Sequence, residues 1–449
     1  MTFIPPNKGY LSLTSEPQMS SFFMPCNLKT LFLRGRSKNV AIIFLKILAT
    51  GWLLTALSAQ AKEPQITLLP TPAIGQSSLS RLMTDSSGQV HLSWVTATGT
   101  SSALYYATLA GTTWGPANLI QEGNDWFVNW ADFPYLAVTD AGRVAHWLQK
   151  SAEGTYDYDI KAVFFHQEMQ AWGPPITIHK DGVSAEHGFV SMLPLSEGRS
   201  FITWLDGRNT KAPKAGPEHH PADQHNMGGG MTLRAAVFDR HGETLEEWAL
   251  DELTCDCCNT SSAMTAAGPI VVYRDRTEKE IRDIVITRFV DSQWTEPKAV
   301  SKDNWEVAGC PVNGPAVAAQ DQLTAVAWFT AKDNLPKVQL AISNDAGASF
   351  GQPILLEQGS TNGRVSIAML DSGNIAVSWL HTNGANATLR VALYNPIGEL
   401  LAKTNVAETK SSRRSGFPVM THQDNDVYVT WTDISADSQI KIARIEFNL

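Results

Sequence analysis

An all-β chain closed into a β-propeller is the fold class the sequence predicts, and three observations predict it. Short β-rich runs ending at an aromatic residue, or one residue past it in the fourth, recur: VHLSW (90–94), VAHW (144–147), FITW (201–204), IVVYR (270–274), AVAW (325–328), IAVSW (375–379) and VYVTW (427–431). They are spaced by roughly 50–57 residues with one gap near 70, the length of a four-stranded blade. No stretch holds a sustained 3.6-residue apolar period.

Each element of a blade can be read in order. A turn such as DSSGQ, TDAGR, LSEGR or DSGN precedes each aromatic run. A second β-rich run follows each, for example ALYYATLAG, IKAVFFHQE, LRAAVFDRHG and IKIARIEF. Most then continue into a segment like TTWGPANLI or QAWGPPITI. Alternating apolar residues suit strands packed face to face between blades. Seven units are counted, with six blades as the alternative count and a pair of β-sandwiches as the alternative fold. The seventh unit has only three strands, and QITLLP (65–70) has the character of the missing fourth. The N-terminal strand is therefore expected to close the ring inside the last blade and remove an exposed edge.

The 449-residue chain is 43% hydrophobic and 18% charged, with net charge −9. Residues 1–61 differ from the rest. RGRSKN (34–39) is basic, VAIIFLKILATGWLLTALSA (40–59) is apolar apart from Lys46, and Ala59-Gln60-Ala61 is a small-x-small pattern before Lys62. Together they predict a signal peptide cleaved near Ala61-Lys62 and a periplasmic or secreted domain over 62–449, with an uncleaved membrane anchor as the alternative. Met24 is a second candidate start, and Cys26 falls within the removed segment. Residues 1–61 hold six Lys or Arg and one acidic residue, so the remainder is more acidic than the whole. Such a chain is a poor partner for nucleic acid or an anionic membrane. A small molecule, a metal ion or a glycan is the expected partner.

LTCDCCNTSS (253–262) crowds Cys255, Cys257 and Cys258 into four positions. In the repeat frame this segment precedes the inner strand of blade four, and GCPVNGPAVAA (309–319) holds the same place in blade five. Cys310 is therefore expected beside the other three at the channel mouth. One reading is disulfides. Adjacent Cα atoms are only about 3.8 Å apart, against roughly 4.4–6.8 Å for ordinary bridges. One bridge to Cys310 is easier and leaves two thiols over. The other reading is a metal site. GPEHHPADQHNMGGGM (216–231) supplies His219, His220, His225, Met227 and Met231 from a blade-three loop on the same face. Thiolate, thioether and imidazole together suit copper first and zinc second. Reactive cysteines are a third reading. His187, in HGFVSM, is an additional ligand candidate.

RDRTEKEIRD (274–283) alternates in sign and reads as an ion-pair network bracing its loop or as an anion-binding rim. Asp132 and Asp206 are carboxylates at comparable heights. Trp126, Trp130 and Trp305 are candidate stacking platforms for a sugar or packing residues.

SNDAGASF (343–350) matches the Asp-box pattern S-x-D-x-G-x-[ST]-[WF] through Ser343, Asp345, Gly347, Ser349 and Phe350. On it the chain resembles the BNR-repeat, or sialidase-like, propellers, in which the box is a structural turn between the third and fourth strands. CDCCNTSS, VVYRDRTEKEIRD, GCPVNGPA, VAWFTA and SGFPVM are similar to a bacterial exported subgroup usually labelled exo-alpha-sialidase. That resemblance implies a glycosidase acting on terminal acidic sugars, with an arginine triad gripping the carboxylate, a Tyr–Glu pair and an Asp. Arg81, Arg276 and Arg364 are the clamp candidates, and Arg413 and Arg414 lie before the last inner strand. For a nucleophile, Tyr394 and Tyr428 fall inside strands, Tyr273 is placed to reach the rim, and no Tyr adjoins a Glu in a late loop. Three functions follow: a ligand-binding propeller with a Cys/His site, a sialidase-type hydrolase, or a protein-interaction scaffold.

Overall fold

The structure, a computed structural model, describes residues 63–211 and 229–448. The expected signal segment 1–61 and the candidate ligands His219, His220, His225 and Met227 lie outside the described residues.

Seven antiparallel sheets make seven blades, each running from an inner to an outer strand. The inner strands are Ser77–Thr84, Tyr135–Thr139, His187–Pro194, Ser261–Thr265, Ala316–Gln320, Thr361–Met369 and Val419–Gln423. Each touches the next, and the last returns to the first, so the ring is closed around a channel. In three blades the outermost strand is broken into two short pieces, as where Ala171–Trp172 and Ile176–Thr177 both pair with Tyr158–His166.

The repeated aromatic residue sits on the second strand of its blade. Trp94, Trp147, Trp204, Trp328 and Trp379 are all fully buried, and Tyr273 takes the same place in blade four. A blade in the ring has neighbours on both faces, so its second strand must be apolar on both sides. That is why these runs are nearly continuous in apolar residues rather than alternating.

Closure is as the sequence predicts. Gln65–Leu69 pairs with Gln439–Glu446 as the outer strand of blade seven, from Gln65 opposite Glu446 to Leu69 opposite Ile442. Leu69 is buried against Tyr428, Ile440 and Ile442. The Asp-box lies between strands Lys337–Ser343 and Ile354–Gln358. Asp345 Oδ1 accepts from Ser343 Oγ at 2.7 Å and from the Ser349 amide at 2.8 Å. Gly347 has φ +79, a conformation glycine adopts without strain. Phe350 packs onto the core shared by blades four and five.

Removing residues 63–70 would leave Gln439–Glu446 as an unpaired edge. The truncated protein is expected to melt several degrees lower and to aggregate with rising concentration. Scanning calorimetry with light scattering checks this, and an unchanged melting curve would show that the N-terminal strand is dispensable.

Candidate functional site

The segments that precede the inner strands gather at one mouth of the channel. Cys255, Cys257 and Cys258 lie there ahead of Ser261–Thr265, and Cys310 lies ahead of Ala316–Gln320. Sulfur atoms of the first three fall within 4.8 Å of one another. Cys255 Sγ and Cys258 Sγ are 3.0 Å apart, and Cys257 is within hydrogen-bond reach of Cys310. Cys255 and Cys258 are buried, Cys257 is half-buried and Cys310 is exposed. Gly314 makes this approach possible, because a Cβ there would collide with the backbone of Asn259.

Two buried guanidiniums lie beside the sulfurs. Arg274 is 2% exposed. It gives its donors to main-chain oxygens only, those of Asn313, Arg282 and Phe329. Among the described residues no carboxylate pairs with it. Arg282 donates to Cys255 Sγ at 3.4 Å and to Glu280 Oε2 at 2.7 Å. A buried cation needs an anion; the sulfur cluster adjoins Arg274, and the Asp303 carboxylate also feels its charge. Burial alone would push the Cys255 thiol up, but hydrogen bonds from Cys257 and Cys258 and the charge of Arg274 hold it well below the usual thiol range. The sulfur neighbours of Cys257, Cys255 foremost as the acceptor of its single proton, keep it protonated.

A cavity of about 360 Å³ opens against Cys257 and Cys310. Its opposite wall holds Asp132, Tyr158 and Glu186, with Trp130 and Arg413 at its side. Tyr158 Oη lies 2.9 Å from Asp132 Oδ2 and 3.0 Å from Glu186 Oε1. A phenol has one proton, so it donates to only one of them. The other contact requires a carboxyl that donates back, so at least one of the two acids is protonated. Burial pushes Asp132 up to about 7, against the hydrogen bonds it receives from the Phe189 amide and Tyr158. Burial pushes Glu186 up to about 8, helped by the charges of Asp132 and Cys310. The same contacts hold the Tyr158 phenol protonated, its burial foremost.

Asp132 also has a structural task. Phe189 sits at φ +53 in a bulge of the blade-three inner strand, and its amide donates to Asp132 Oδ1 at 2.8 Å. Blade six repeats the device: Arg364 has φ +56, and its amide donates to Asn313 Oδ1 at 2.8 Å. Asn313 serves with a neutral amide where Asp132 supplies an acid, so the ionisable oxygen at Asp132 goes beyond what the bulge requires.

The other candidates are dispersed. Arg81 lines the channel cavity and stacks on Tyr135, 4.2 Å from its centroid. Arg364 is buried under Trp130 and donates to the carbonyls of Ser412 and Gly416. Arg276 is taken up by Glu280 and Asp256. The three thus have separate partners. Within RDRTEKEIRD, Arg276 and Arg282 form the ion-pair network with Glu280 and Asp256, whereas Arg274 turns inward. Tyr273 does not reach the rim: it is fully buried and donates to Asp251 Oδ2. Trp126 stacks on Trp147, and Trp305 packs against Phe329 under Arg274. Of the three tryptophans, Trp130 is the one that lines the sulfur-side cavity. Met231 is buried in the blade-three core. Asp206 is bound by Arg208 and Trp204, and His187 belongs to a separate cluster with His179. The Tyr158–Glu186–Asp132 array carries no sequence signal, since its members sit on three segments with no common motif.

Comparison with family models gives no match, and comparison with curated proteins gives none. Solved structures similar to this chain include a protein of unknown function from Dyadobacter fermentans, at 11% identity and TM-score 0.46, covering 86% of this chain and 99% of that one. The Penicillium chrysogenum alpha-L-arabinanase complexed with arabinobiose is similar at 10% identity and TM-score 0.43, covering 86% and 98%. The phage phi92 endosialidase is similar at 9% identity and TM-score 0.47, covering 86% and 69%. Likeness this distant carries no argument about chemistry.

The raised acid has a measurable consequence. Asp132 ionises near 7 in the folded protein and near 3.9 unfolded. Its contribution is therefore fully present below about pH 4 and lost as pH rises through about 7. Asp132→Asn keeps the bulge and removes the ionisation. The variant should match the parent at about pH 4 and exceed it by on the order of 3–4 kcal/mol at pH 8. Urea unfolding at both values tests this, and an equal difference at the two pH values would contradict it.

Proposed function

We propose that this chain is an exported, sialidase-like propeller that binds a ligand at its channel mouth, with a thiolate metal centre as one wall of the site. One observation carries the reading. Among the described residues Arg274 is buried without a carboxylate bound to it, and its charge bears on Cys255 and Cys258 of a four-cysteine group drawn from two blades. A disulfide is neutral and would leave that charge to carbonyl dipoles and the Asp303 carboxylate, which makes no hydrogen bond to it. A metal–thiolate cluster is anionic and matches it. Sulfur ligands favour a soft ion, copper(I) first and zinc second. Cys255, Cys257, Cys258 and Cys310 would hold it. Arg282 would donate to the Cys255 sulfur and fix its orientation, as outer partners of metal ligands do. The adjoining cavity, with its protonated carboxyl pair and Trp130, would receive a small molecule or a sugar.

A second reading is a glycoside hydrolase on terminal acidic sugars. The Asp132–Tyr158–Glu186 array favours it, since acids poised near neutrality serve as general acids. Against a phenolate nucleophile stands the burial of Tyr158, which keeps its proton on.

Metal content of protein purified without chelator separates these. About one copper or zinc per chain is expected at the thiolate centre, with Cys258→Ser and Cys310→Ser each lowering the total by that equivalent. Gly314→Ala should lower it too by pushing the Cys310 segment away from Asn259. Unchanged stoichiometry in both cysteine variants would remove the metal centre and leave a disulfide brace. A fluorogenic sialoside is expected to survive across pH 4–8. Its cleavage, abolished by Arg81→Ala or Arg364→Ala, would put the hydrolase first.

A further inference from the structure

A second cluster, between blades two and three, is separate from the sulfur site. His179 follows the short outer strand Ile176–Thr177, and His187 begins the inner strand His187–Pro194. Their rings stack at 3.7 Å with an interplanar angle of 9°. His187 Nδ1 lies 3.2 Å from the carbonyl oxygen of Ala185. A carbonyl only accepts, so Nδ1 carries the proton. His179 Nδ1 lies 2.7 Å from Asp181 Oδ2 and is fixed in the same way. In its neutral form each ring therefore presents a lone pair at Nε2.

Among the described residues both Nε2 atoms are buried and have no hydrogen-bond partner. The side chains are 5% and 0% exposed. What they face is negative. His187 Nε2 is 3.3 Å from Asp181 Oδ2 and 3.5 Å from Asp206 Oδ1. His179 Nε2 is 3.8 Å from Asp159 Oδ1. Imidazole nitrogens crowded by carboxylate oxygens call for a cation among them, either a proton or a metal ion. A proton on Nε2 would be poorly aligned with these oxygens, although, against its burial, the charges of Asp206 and Asp181 favour one on His187. A metal ion is better served. Bonds of about 2.0–2.2 Å to a tetrahedral ion space its ligand atoms by about 3.3–3.6 Å.

We infer that Asp159, His179 and His187 form a second metal site, for a borderline divalent cation such as zinc. Their ligand atoms lie within 4.8 Å of one another. Asp181 would hold the His179 ring from behind and Ala185 the His187 ring, the outer partners that metal-bound imidazoles require. Asp206 stays outside the set, since Arg208, Trp204 and the Arg208 amide already occupy its oxygens. Imidazole with carboxylate selects zinc or iron(II) over calcium and magnesium, and over the soft ions the thiolates prefer. A cavity of about 390 Å³ lies against Asp159 and His179 and provides entry. Two parallel rings cannot both aim at one ion, so loading requires them to splay. His179, beside that cavity, has the adjacent space.

Zinc content decides the matter. Full-length protein is equilibrated with zinc, desalted and measured by mass spectrometry as parent, Asp159→Asn, His179→Gln and Cys310→Ser. The first two variants are expected to retain about one zinc fewer than the parent and to bind it at least tenfold more weakly. Cys310→Ser is expected to keep this equivalent, so the thiolate centre and this site fail separately. Asp159 lies at a cavity edge with its other oxygen near Lys161, so Asp159→Asn decides if His179→Gln does not fold. Undiminished zinc in folded Asp159→Asn would overturn the assignment and leave a proton between the rings and the carboxylates.

Discussion

Every blade of this molecule is apolar on both faces, and that single constraint governs the rest. A sheet buried on one side can stop at solvent. A sheet buried on both sides needs two neighbours, and a row of such sheets has no stable end until it closes. Pairing of Gln65–Leu69 with Gln439–Glu446 supplies the end. It joins the two termini of the described domain in one sheet, so the last blade forms only when both are present. The fully buried Trp94, Trp147, Trp204, Trp328 and Trp379 are the repeated expression of the same demand.

Closure also creates the site. Once the inner strands face a common channel, the segments leading into them share one mouth. Cys255, Cys257 and Cys258 enter from blade four and Cys310 from blade five. Asp132 reaches across from the segment before blade two to the bulge at Phe189 in blade three. The core that positions these groups is rigid, and the groups themselves are at odds with it: a guanidinium without a carboxylate, two carboxyls sharing one phenol, two imidazoles with bare nitrogens. Such departures from local satisfaction concentrate where a protein binds something.

Part of this is legible in the amino-acid order. The meeting of Cys310 with LTCDCCNTSS follows from the repeat alone, because equivalent positions in adjacent blades are neighbours. The ion pairs of Arg276 and Arg282 with Glu280 follow from their spacing in one loop. Arg274 does not follow: its place at the end of an apolar run suggests the rim, and only packing under Trp305 turns it inward. Tyr158 and Glu186 are equally hidden, and Asp132, a candidate by its position, gives no sign of joining them. They belong to a strand, a loop and another loop, and the hydrogen bonds that define them cross between blades. His179 and Asp181 give a faint local signal in HKD, but nothing in that tripeptide says that His187 will stack on it.

The sequence by itself determined the blade count, the closing strand, the Asp-box turn and the juxtaposition of the cysteines. All of these are consequences of period and strand alternation, which are written along the chain. Tertiary structure alone decided which charges are buried, which acids keep their protons and which imidazole nitrogens lack partners. Those properties depend on desolvation and on atoms far apart in the chain, and the sum of such distances is set only when the ring has closed.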